Sequence, residues 1–225
     1  MNTNSNYCIN KLLKKGLFLF LIFAILSCIS ILFIDRNLAL FIHKIGLDQI
    51  LILRYFTEYS PLMLVSSVLL FICLSKESIY INNKFKDRLL LIIYITLLVI
   101  AAGEAKTLLK DTFGRYWIQS WKGNNLSLLK DNVYGFKFMG GFAVKESFSF
   151  PSGHLTFIST TCISTIIVYP KFIAPGFLFI ISAVLAQVSL NYHYLGDTLS
   201  GIALGCLFAY PGLSLYIKIK EYCKK

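Results

Sequence analysis

The chain is organised around the sequence SFPSGH at residues 149–154, where a polar loop gives way to an apolar helix. Proline followed by serine is an ordinary beginning of a helix, with the serine as N-cap. Here the first turn also combines the Ser152 hydroxyl, the Gly153 backbone and the His154 imidazole. Because the unpaired N–H groups of a helix N-terminus attract anions, the stretch predicts a phosphate-type anion site in preference to a plain helix cap.

A second stretch, HYLGD at residues 193–197, contains another histidine with a carboxylate four residues later. At this spacing His193 and Asp197 share one face of a helix. A carboxylate that accepts a hydrogen bond from one imidazole nitrogen fixes the tautomer and leaves the other nitrogen basic and nucleophilic. Alone, the pair is equally typical of an interfacial histidine beside a helix-capping aspartate. Two apolar segments separate the stretches, so we expect the chain to return to the same membrane face.

The composition identifies an integral membrane protein. Hydrophobic residues make up 56% of the 225 residues, charged residues only 15%, and the mean hydropathy is +0.68. The net charge of +11 comes from Lys and Arg scattered between apolar segments, which indicates flanks of membrane spans and excludes a nucleic-acid surface. The six cysteines form no CxxC pair and mostly fall in or beside apolar segments, so we expect neither disulfides nor a cysteine metal site.

Apolar runs of about twenty residues predict an all-α polytopic protein with six transmembrane helices in one membrane-embedded domain, residues 1–225. The predicted spans are 16–34, 59–75, 89–109, 152–169, 173–191 and 197–217. The first apolar run continues past Cys28, which favours an uncleaved span over a signal peptide. Charged and apolar residues mix over 37–57, which predicts one or two interfacial helices. Gly201 and Gly205 form a GxxxG, which indicates close helix packing within or between chains.

The positive-inside rule assigns the two sides of the membrane. Six spans place both termini on one side, and this side holds most of the short basic segments: 11–15, 76–88, Lys171 and 218–225. Most other cations lie in or beside the polar loop 110–150, and long loops count little in this rule. We therefore expect cytoplasmic termini, with the long loop, His154 and His193 on the other face. A loop of this length in a compact protein is usually functional.

Charged residues also gather where span three meets the loop: Glu104, Lys106, Lys110, Asp111 and Arg115. Lys106 and Lys110 are four residues apart and share a helix face, although Lys106 is expected only to snorkel towards the interface. Glu104 lies deeper, where an ionisable residue is a candidate for function or for packing. Cations, a helix N-terminus and two histidines thus converge on one membrane face, which predicts a pocket for a dianion.

These residues resemble the signature of the type 2 phosphatidic acid phosphatase superfamily, which has the parts KxxxxxxRP, PSGH and SRxxxxxHxxxD. The resemblance is close over residues 100–205. The second part is intact at 151–154, and the third keeps its histidine and aspartate as His193 and Asp197. Two family arginines are missing, because Trp117-Ile118 stand in place of arginine-proline and Ala186-Gln187 in place of serine-arginine.

The resemblance implies a two-step phosphatase reaction without metal or other cofactor. His193, oriented by Asp197, would form a phosphohistidine, and His154 would protonate the leaving alcohol and then activate water. The implied phosphate-binding residues are Lys110, Arg115, Ser152, Gly153 and Gln187.

The implied substrate is a lipid phosphate monoester or diphosphate: phosphatidic acid, phosphatidylglycerophosphate, undecaprenyl diphosphate or a lipid A phosphate. The expected partners are this lipid and the surrounding membrane lipids, with no nucleic acid, and the expected location is a bacterial inner membrane with the site facing the periplasm. Aromatic residues of the loop suit such a site, although they are equally typical of an interfacial belt. Because of the missing arginines, an alternative is a catalytically impaired protein that binds or transports lipid phosphates.

Overall fold

The computed structural model describes residues 3–50, 54, 55, 57, 64–69, 71, 72, 75, 78, 85–120, 125–143 and 148–222. Over these residues the regular structure is helical, and the only β-pairing is two isolated bridges, Arg115 with Phe136 and Trp117 with Ser127. The predicted all-α class is confirmed for this part of the chain.

The α-helices are α1 (Thr3–Phe33), α2 (Asp35–Lys44), α3 (Phe85–Phe113), α4 (Leu128–Asp131), α5 (Gly140–Ala143), α6 (Gly153–Val168), α7 (Ile173–Ser189) and α8 (Leu195–Tyr222). Short 3-10 helices cover Leu47–Gln49 and Pro170–Phe172. Residues 64–69, 71 and 72 are also helical, and Leu64, Val68 and Ile72 are buried in the main core.

Four helical segments of the described chain are long and apolar enough to cross a membrane: Ile9–Phe33, Phe85–Phe113, Pro170–Ser189 and Leu195–Lys220. They correspond to the predicted spans one, three, five and six. Predicted span four is α6, whose 16 residues extend about 24 Å, less than the ~30 Å hydrocarbon core. Predicted span two, 59–75, falls largely outside the described residues. The protein is therefore a multi-pass membrane protein, and a total of six spans stays a prediction.

Helix α8 is the centre of the bundle. Of the 18 most apolar consecutive residues of α8, 67% are buried, compared with 17% of the corresponding residues of α1 and of α3. Its most extensive contacts are with α1 and α6. A Cβ added at Gly201 would lie 2.8 Å from the Ser152 carbonyl oxygen, so the glycine lets α8 approach the first turn of α6. The GxxxG of the sequence therefore serves packing within the chain.

Helix α6 is buried although it carries many hydroxyl groups. The hydroxyls of Thr156, Thr160 and Thr165 donate to the carbonyl four residues earlier, at 2.8, 2.7 and 2.8 Å. Such back-bonding satisfies a hydroxyl without an outside partner. This short helix can therefore lie in the apolar core and present its N-terminus to the polar end of the bundle.

A second, smaller core joins the N-terminal part of the chain to the long loop. Ala39 of α2 packs with Ile118 and Leu128 of the loop and with Tyr194, the residue before α8. The predicted interfacial helices of 37–57 correspond to α2 and to the 3-10 helix Leu47–Gln49. This contact fixes α2 beside the stretch that contains His193.

Candidate active site

The structure brings the two histidine-containing stretches together at the starts of α6 and α8. Ser152 caps α6, since its hydroxyl oxygen accepts from the Leu155 N–H at 3.4 Å. Its own backbone N–H donates to the Asp197 carbonyl oxygen at 3.0 Å. A hydroxyl that accepts one hydrogen bond keeps its proton for another partner. The helix cap and the predicted anion site are thus compatible at one residue.

His193 lies in the loop between α7 and α8, only 5% exposed, with Nδ1 3.4 Å from Asp197 Oδ2. Because an ionised carboxylate can only accept, Nδ1 carries the proton and Nε2 keeps its lone pair. The pKa of His193 is lowered to about 4, mainly by burial and also by Lys110 and His154, whereas the hydrogen bond and the charge of Asp197 oppose this shift. The imidazole is therefore neutral at pH 7. The Gln187 carbonyl accepts from the His193 N–H at 3.2 Å and fixes the loop.

Trp117, which stands where the family has arginine, covers the buried imidazole. Its ring centroid lies 5.1 Å from that of His193, and the two planes are tilted by 40°. The Lys110 ammonium lies 4.9 Å from the centroid of the Trp117 ring and donates to the carbonyls of Phe148 and Ser149 at 2.5 and 3.1 Å. This position therefore supplies an aromatic face to the His193 imidazole and the Lys110 ammonium, in place of a positive charge.

A cleft of about 400 Å³ opens beside the first turn of α6, a volume typical of small-ligand sites. His154, Gly153 and Lys106 line it. A Cβ at Gly153 would lie 3.3 Å from Lys106 Cδ, so the lysine side chain lies directly against the helix N-terminus. The sequence predicted that Lys106 only snorkels, and the structure places it at the cleft. The signal was its spacing of four residues from Lys110, which put both ammonium groups on one face.

The structure places Arg115 away from the residues that line this cleft. Its side chain is fully buried, and the guanidinium donates to Asp197 Oδ1 at 2.6 Å and to Asp35 Oδ2 at 2.8 Å. Burial opposes the charge, but Asp197 and then Asp35 outweigh it and raise the pKa of Arg115. Instead of contacting the cleft, the guanidinium forms an ion pair with Asp197, the partner of the His193 imidazole. Asp35 of α2, which belongs to no sequence motif, holds it in this position.

The remaining sequence-predicted residues differ in their access. Gln187 is 2% exposed, and its Oε1 has no hydrogen-bond partner within the described part of the chain. A buried amide without a partner is available to a bound group. Glu104 is exposed on α3. His43 hydrogen-bonds to Asp48 at 2.7 Å with its side chain half exposed, as expected for a surface residue.

The aromatic residues of the long loop divide into two groups. Phe136 packs edge-to-face with Phe150 and Phe113, at centroid distances of 5.9 and 6.4 Å. Phe138 and Phe142 are 70% and 56% exposed, which is typical of side chains at a membrane interface. Trp121 lies outside the described residues.

The site thus combines a carboxylate-backed imidazole, a second imidazole and a lysine-lined cleft at a helix N-terminus. A bundle of apolar helices carries it. The family model of the PAP2 superfamily matches residues 88–221, more than half of the chain, and the chain belongs to this superfamily. Membership supports a phosphatase activity.

One solved structure is similar to the chain. It is the crystal structure described as the first transmembrane PAP2 type phosphatidylglycerolphosphate phosphatase, from Bacillus subtilis. The TM-score is 0.54 and the sequence identity 16%, over 94% of this chain and 98% of the other. At this identity the likeness establishes the fold. No curated protein matches the chain.

Proposed function

We propose that the protein hydrolyses a lipid phosphate monoester or diphosphate without a metal ion, through a phosphohistidine. The observation that carries this proposal is the hydrogen bond from Ser152 N–H to the Asp197 carbonyl, which joins the His154 helix start to the His193–Asp197 pair. This contact supports the proposal that an oriented nucleophile, His193, and a separate proton carrier, His154, act at one site.

In the first step, Nε2 of His193 attacks phosphorus and forms the N–P bond while the P–O bond to the lipid alcohol breaks. Nδ1 keeps its proton, which Asp197 accepts in a hydrogen bond, so the carboxylate stabilises the charge that develops on the ring. His154 gives its proton to the leaving oxygen, as a general acid.

In the second step, the neutral His154 takes a proton from water, and the resulting nucleophile attacks the phosphohistidine. The N–P bond breaks, inorganic phosphate leaves and both imidazoles return to their starting states. Because the nucleophile is a side chain and His154 carries both proton transfers, no step needs a metal.

The charge of the transferring phosphoryl group is stabilised by groups at the cleft and beside it. Lys106 and Lys110 supply positive charge, the Ser152 hydroxyl and Gly153 N–H supply hydrogen bonds, and the Gln187 amide replaces one family arginine. Lys106 is the change from the expectation based on sequence: it takes the place that Arg115 was expected to fill. Arg115 acts indirectly: it holds Asp197, which in turn orients His193.

For the substrate, we propose a phosphate or diphosphate head group at the membrane surface. Its candidates are phosphatidic acid, phosphatidylglycerophosphate, undecaprenyl diphosphate and lipid A phosphates. The exposed aromatic residues of the loop suit an interfacial substrate. We place the termini in the cytoplasm and the site towards the periplasm of a bacterial inner membrane, because the short basic segments lie with the termini.

The test is phosphate release from this panel of lipids by the detergent-solubilised protein in EDTA. We expect release by the wild-type chain and a ³²P-labelled protein band that acid destroys and base preserves. Activity that EDTA abolishes, or that survives both His193→Ala and His154→Ala, would contradict the proposal.

The second candidate function is a protein that binds or transports lipid phosphates without hydrolysing them. Trp117 and Gln187, which replace two family arginines, favour it. It predicts that orthovanadate and lipid phosphate raise the melting temperature of the protein while no substrate of the panel is turned over.

A further inference from the structure

Asp35 lies outside the family match, yet it is bound to the machinery around His193. It is in the first turn of α2, and its side chain is fully buried. Oδ1 accepts from the Ser30 hydroxyl at 2.6 Å and from the Gly196 N–H at 3.0 Å. Oδ2 accepts from Arg115 at 2.8 Å. A carboxylate with three donors from separate parts of the chain has one defined orientation.

Arg115 connects this carboxylate to the other one. One terminal nitrogen of its planar guanidinium, Nη2, donates to Asp35. The other terminal nitrogen, Nη1, donates to Asp197 Oδ1 at 2.6 Å. The face of the guanidinium lies 4.0 Å from the centroid of the Tyr194 ring, which restricts its rotation. Because the fork of a guanidinium is rigid, fixing one nitrogen also fixes the other.

We propose that Asp35 is a positioning residue: by holding Arg115 it fixes Asp197 in the orientation that keeps Nδ1 of His193 protonated and Nε2 free. The inference rests on the proposed function for its kinetic consequence, while its structural consequence stands alone. Asp197 uses Oδ1 for Arg115 and Oδ2 for His193 and for the Tyr194 N–H, so each oxygen has its own partners.

Without the Asp35 charge, Arg115 is no longer restricted to Oδ1 of Asp197, and Oδ2 is no longer reserved for His193. Arg115 would have one carboxylate left, and a guanidinium with a single carboxylate tends to bind both of its oxygens. It would then compete with His193 for Oδ2, whose contact with Nδ1 is already long at 3.4 Å. The imidazole would lose the partner that selects its tautomer.

A purely structural role makes a different prediction, because breaking a buried ion pair destabilises a protein wherever it lies. Asp48 provides the matched control. Its side chain is 2% exposed, it lies in the 3-10 helix after α2, and it accepts from Gln119 and Asn191 at 3.0 and 3.3 Å. It has no hydrogen bond or ion pair with Arg115 in the described residues.

The experiment compares the full-length wild type, Asp35→Asn and Asp48→Asn in detergent, labelled with ¹⁵N-histidine. The chain has three histidines, so the spectra are simple, and the loss of signals in His193→Gln assigns that residue. We expect His193 to show a single Nδ1–H tautomer in the wild type and in Asp48→Asn, and a mixture in Asp35→Asn. In parallel, Asp35→Asn should lower kcat by about tenfold to a hundredfold, as for other outer partners that orient a reacting group, with little change in KM.

The outcomes separate the two proposals. An unchanged His193 tautomer in Asp35→Asn, or the same mixture in Asp48→Asn, overturns the positioning role. An altered tautomer in a protein that hydrolyses no lipid phosphate supports positioning and counts against the proposed function. If Asp35→Asn does not fold, Asp35→Glu takes its place with the same criteria, since it keeps the buried charge but displaces the carboxylate that accepts from Arg115 at 2.8 Å.

Discussion

The two histidines of the site lie in opposite surroundings. His193 is in the loop between α7 and α8, 5% exposed, with Asp197 on one ring nitrogen and the Trp117 ring over its face. His154 is in the first turn of α6, half-buried, and lines the open cleft with Lys106. Among the described residues its ring has no hydrogen-bond partner. One imidazole is enclosed and oriented, and the other is left free for an outside group.

The difference corresponds to the chemistry that each ring has to perform. A nucleophile must be neutral and correctly oriented before the substrate arrives, and burial with one carboxylate provides both. A proton carrier must exchange with the leaving group and then with water, so it has to reach the cleft. The contrast therefore supports the proposed roles of His193 as nucleophile and of His154 as acid and base, and each prediction below tests part of this proposal.

The largest effect is expected for His193→Ala. Removing the nucleophile should lower kcat on every substrate by a factor on the order of 10⁴ or more, whatever the leaving group. The ³²P-labelled intermediate should disappear as well. The measurement is phosphate release and acid-labile labelling under identical conditions. If His193→Ala still formed the labelled intermediate, the nucleophile would be His154 instead.

His154→Ala should have a smaller effect that depends on the leaving group. With a lipid phosphate, loss of the general acid should lower kcat by about 10² to 10⁴. With p-nitrophenyl phosphate, whose leaving group needs no proton, bond cleavage should be much less affected and the labelled intermediate should accumulate. Pre-steady-state release of nitrophenol measures this difference. An equal loss on both substrates would contradict the role of His154 as an acid.

Lys106 tests whether the open side of the site supplies charge to the phosphate. Lys106→Met should lower kcat/KM by about tenfold, less than a fully buried donor, because solvent screens a half-buried ammonium. Lys106→Arg should recover part of the loss. Lys44→Met is the control: it removes an exposed cation at the end of α2. Equal losses in Lys106→Met and Lys44→Met would mean that Lys106 acts only through the overall positive charge of the protein and not by contact with the phosphate.

The sequence predicted the features of the site that depend on local spacing. The contact between His193 and Asp197, which are four positions apart, and the cap at Ser152 are local geometry, and both occur as expected. The meeting of the two stretches followed from counting apolar segments. The extent of the helices was underestimated: α1 begins at Thr3 and α8 continues to Tyr222. Backbone hydrogen bonding does not require apolar side chains, so a helix continues beyond the hydrophobic part of a span.

The position of Arg115 was not predicted from the sequence, because its partner Asp35 is distant along the chain. Arg115 and Asp35 are 80 residues apart, and no pattern near either residue indicates the other. They meet because α2 packs against the loop, through Ala39 and Ile118. Lys106 was placed on the correct face, but whether a lysine snorkels or lines a cleft depends on what packs beside it. The Lys106 side chain packs against Gly153. The sequence alone does not show this contact.

The smallest effect on activity concerns pH. Because burial lowers the pKa of His193 to about 4, the nucleophile should stay neutral, and its contribution to kcat unchanged, from pH 7 down to about pH 5. Below that it is lost as the pH falls through about 4. The unfolded chain, with an ordinary pKa near 6.5, takes up the proton first. Stability should therefore fall as the pH decreases from about 6.5 to about 4.

Two measurements check this prediction. NMR titration of His193 in the wild-type protein, with His193→Gln to assign the signal, should give a midpoint near 4. The fall in melting temperature between pH 6.5 and 5 should be smaller in His193→Gln than in the wild type, because that variant has no imidazole to titrate. A midpoint near 6.5 would mean that water reaches His193 as freely as an exposed ring. The enclosed and open histidines would then be alike, and the assignment of their roles would lose its physical basis.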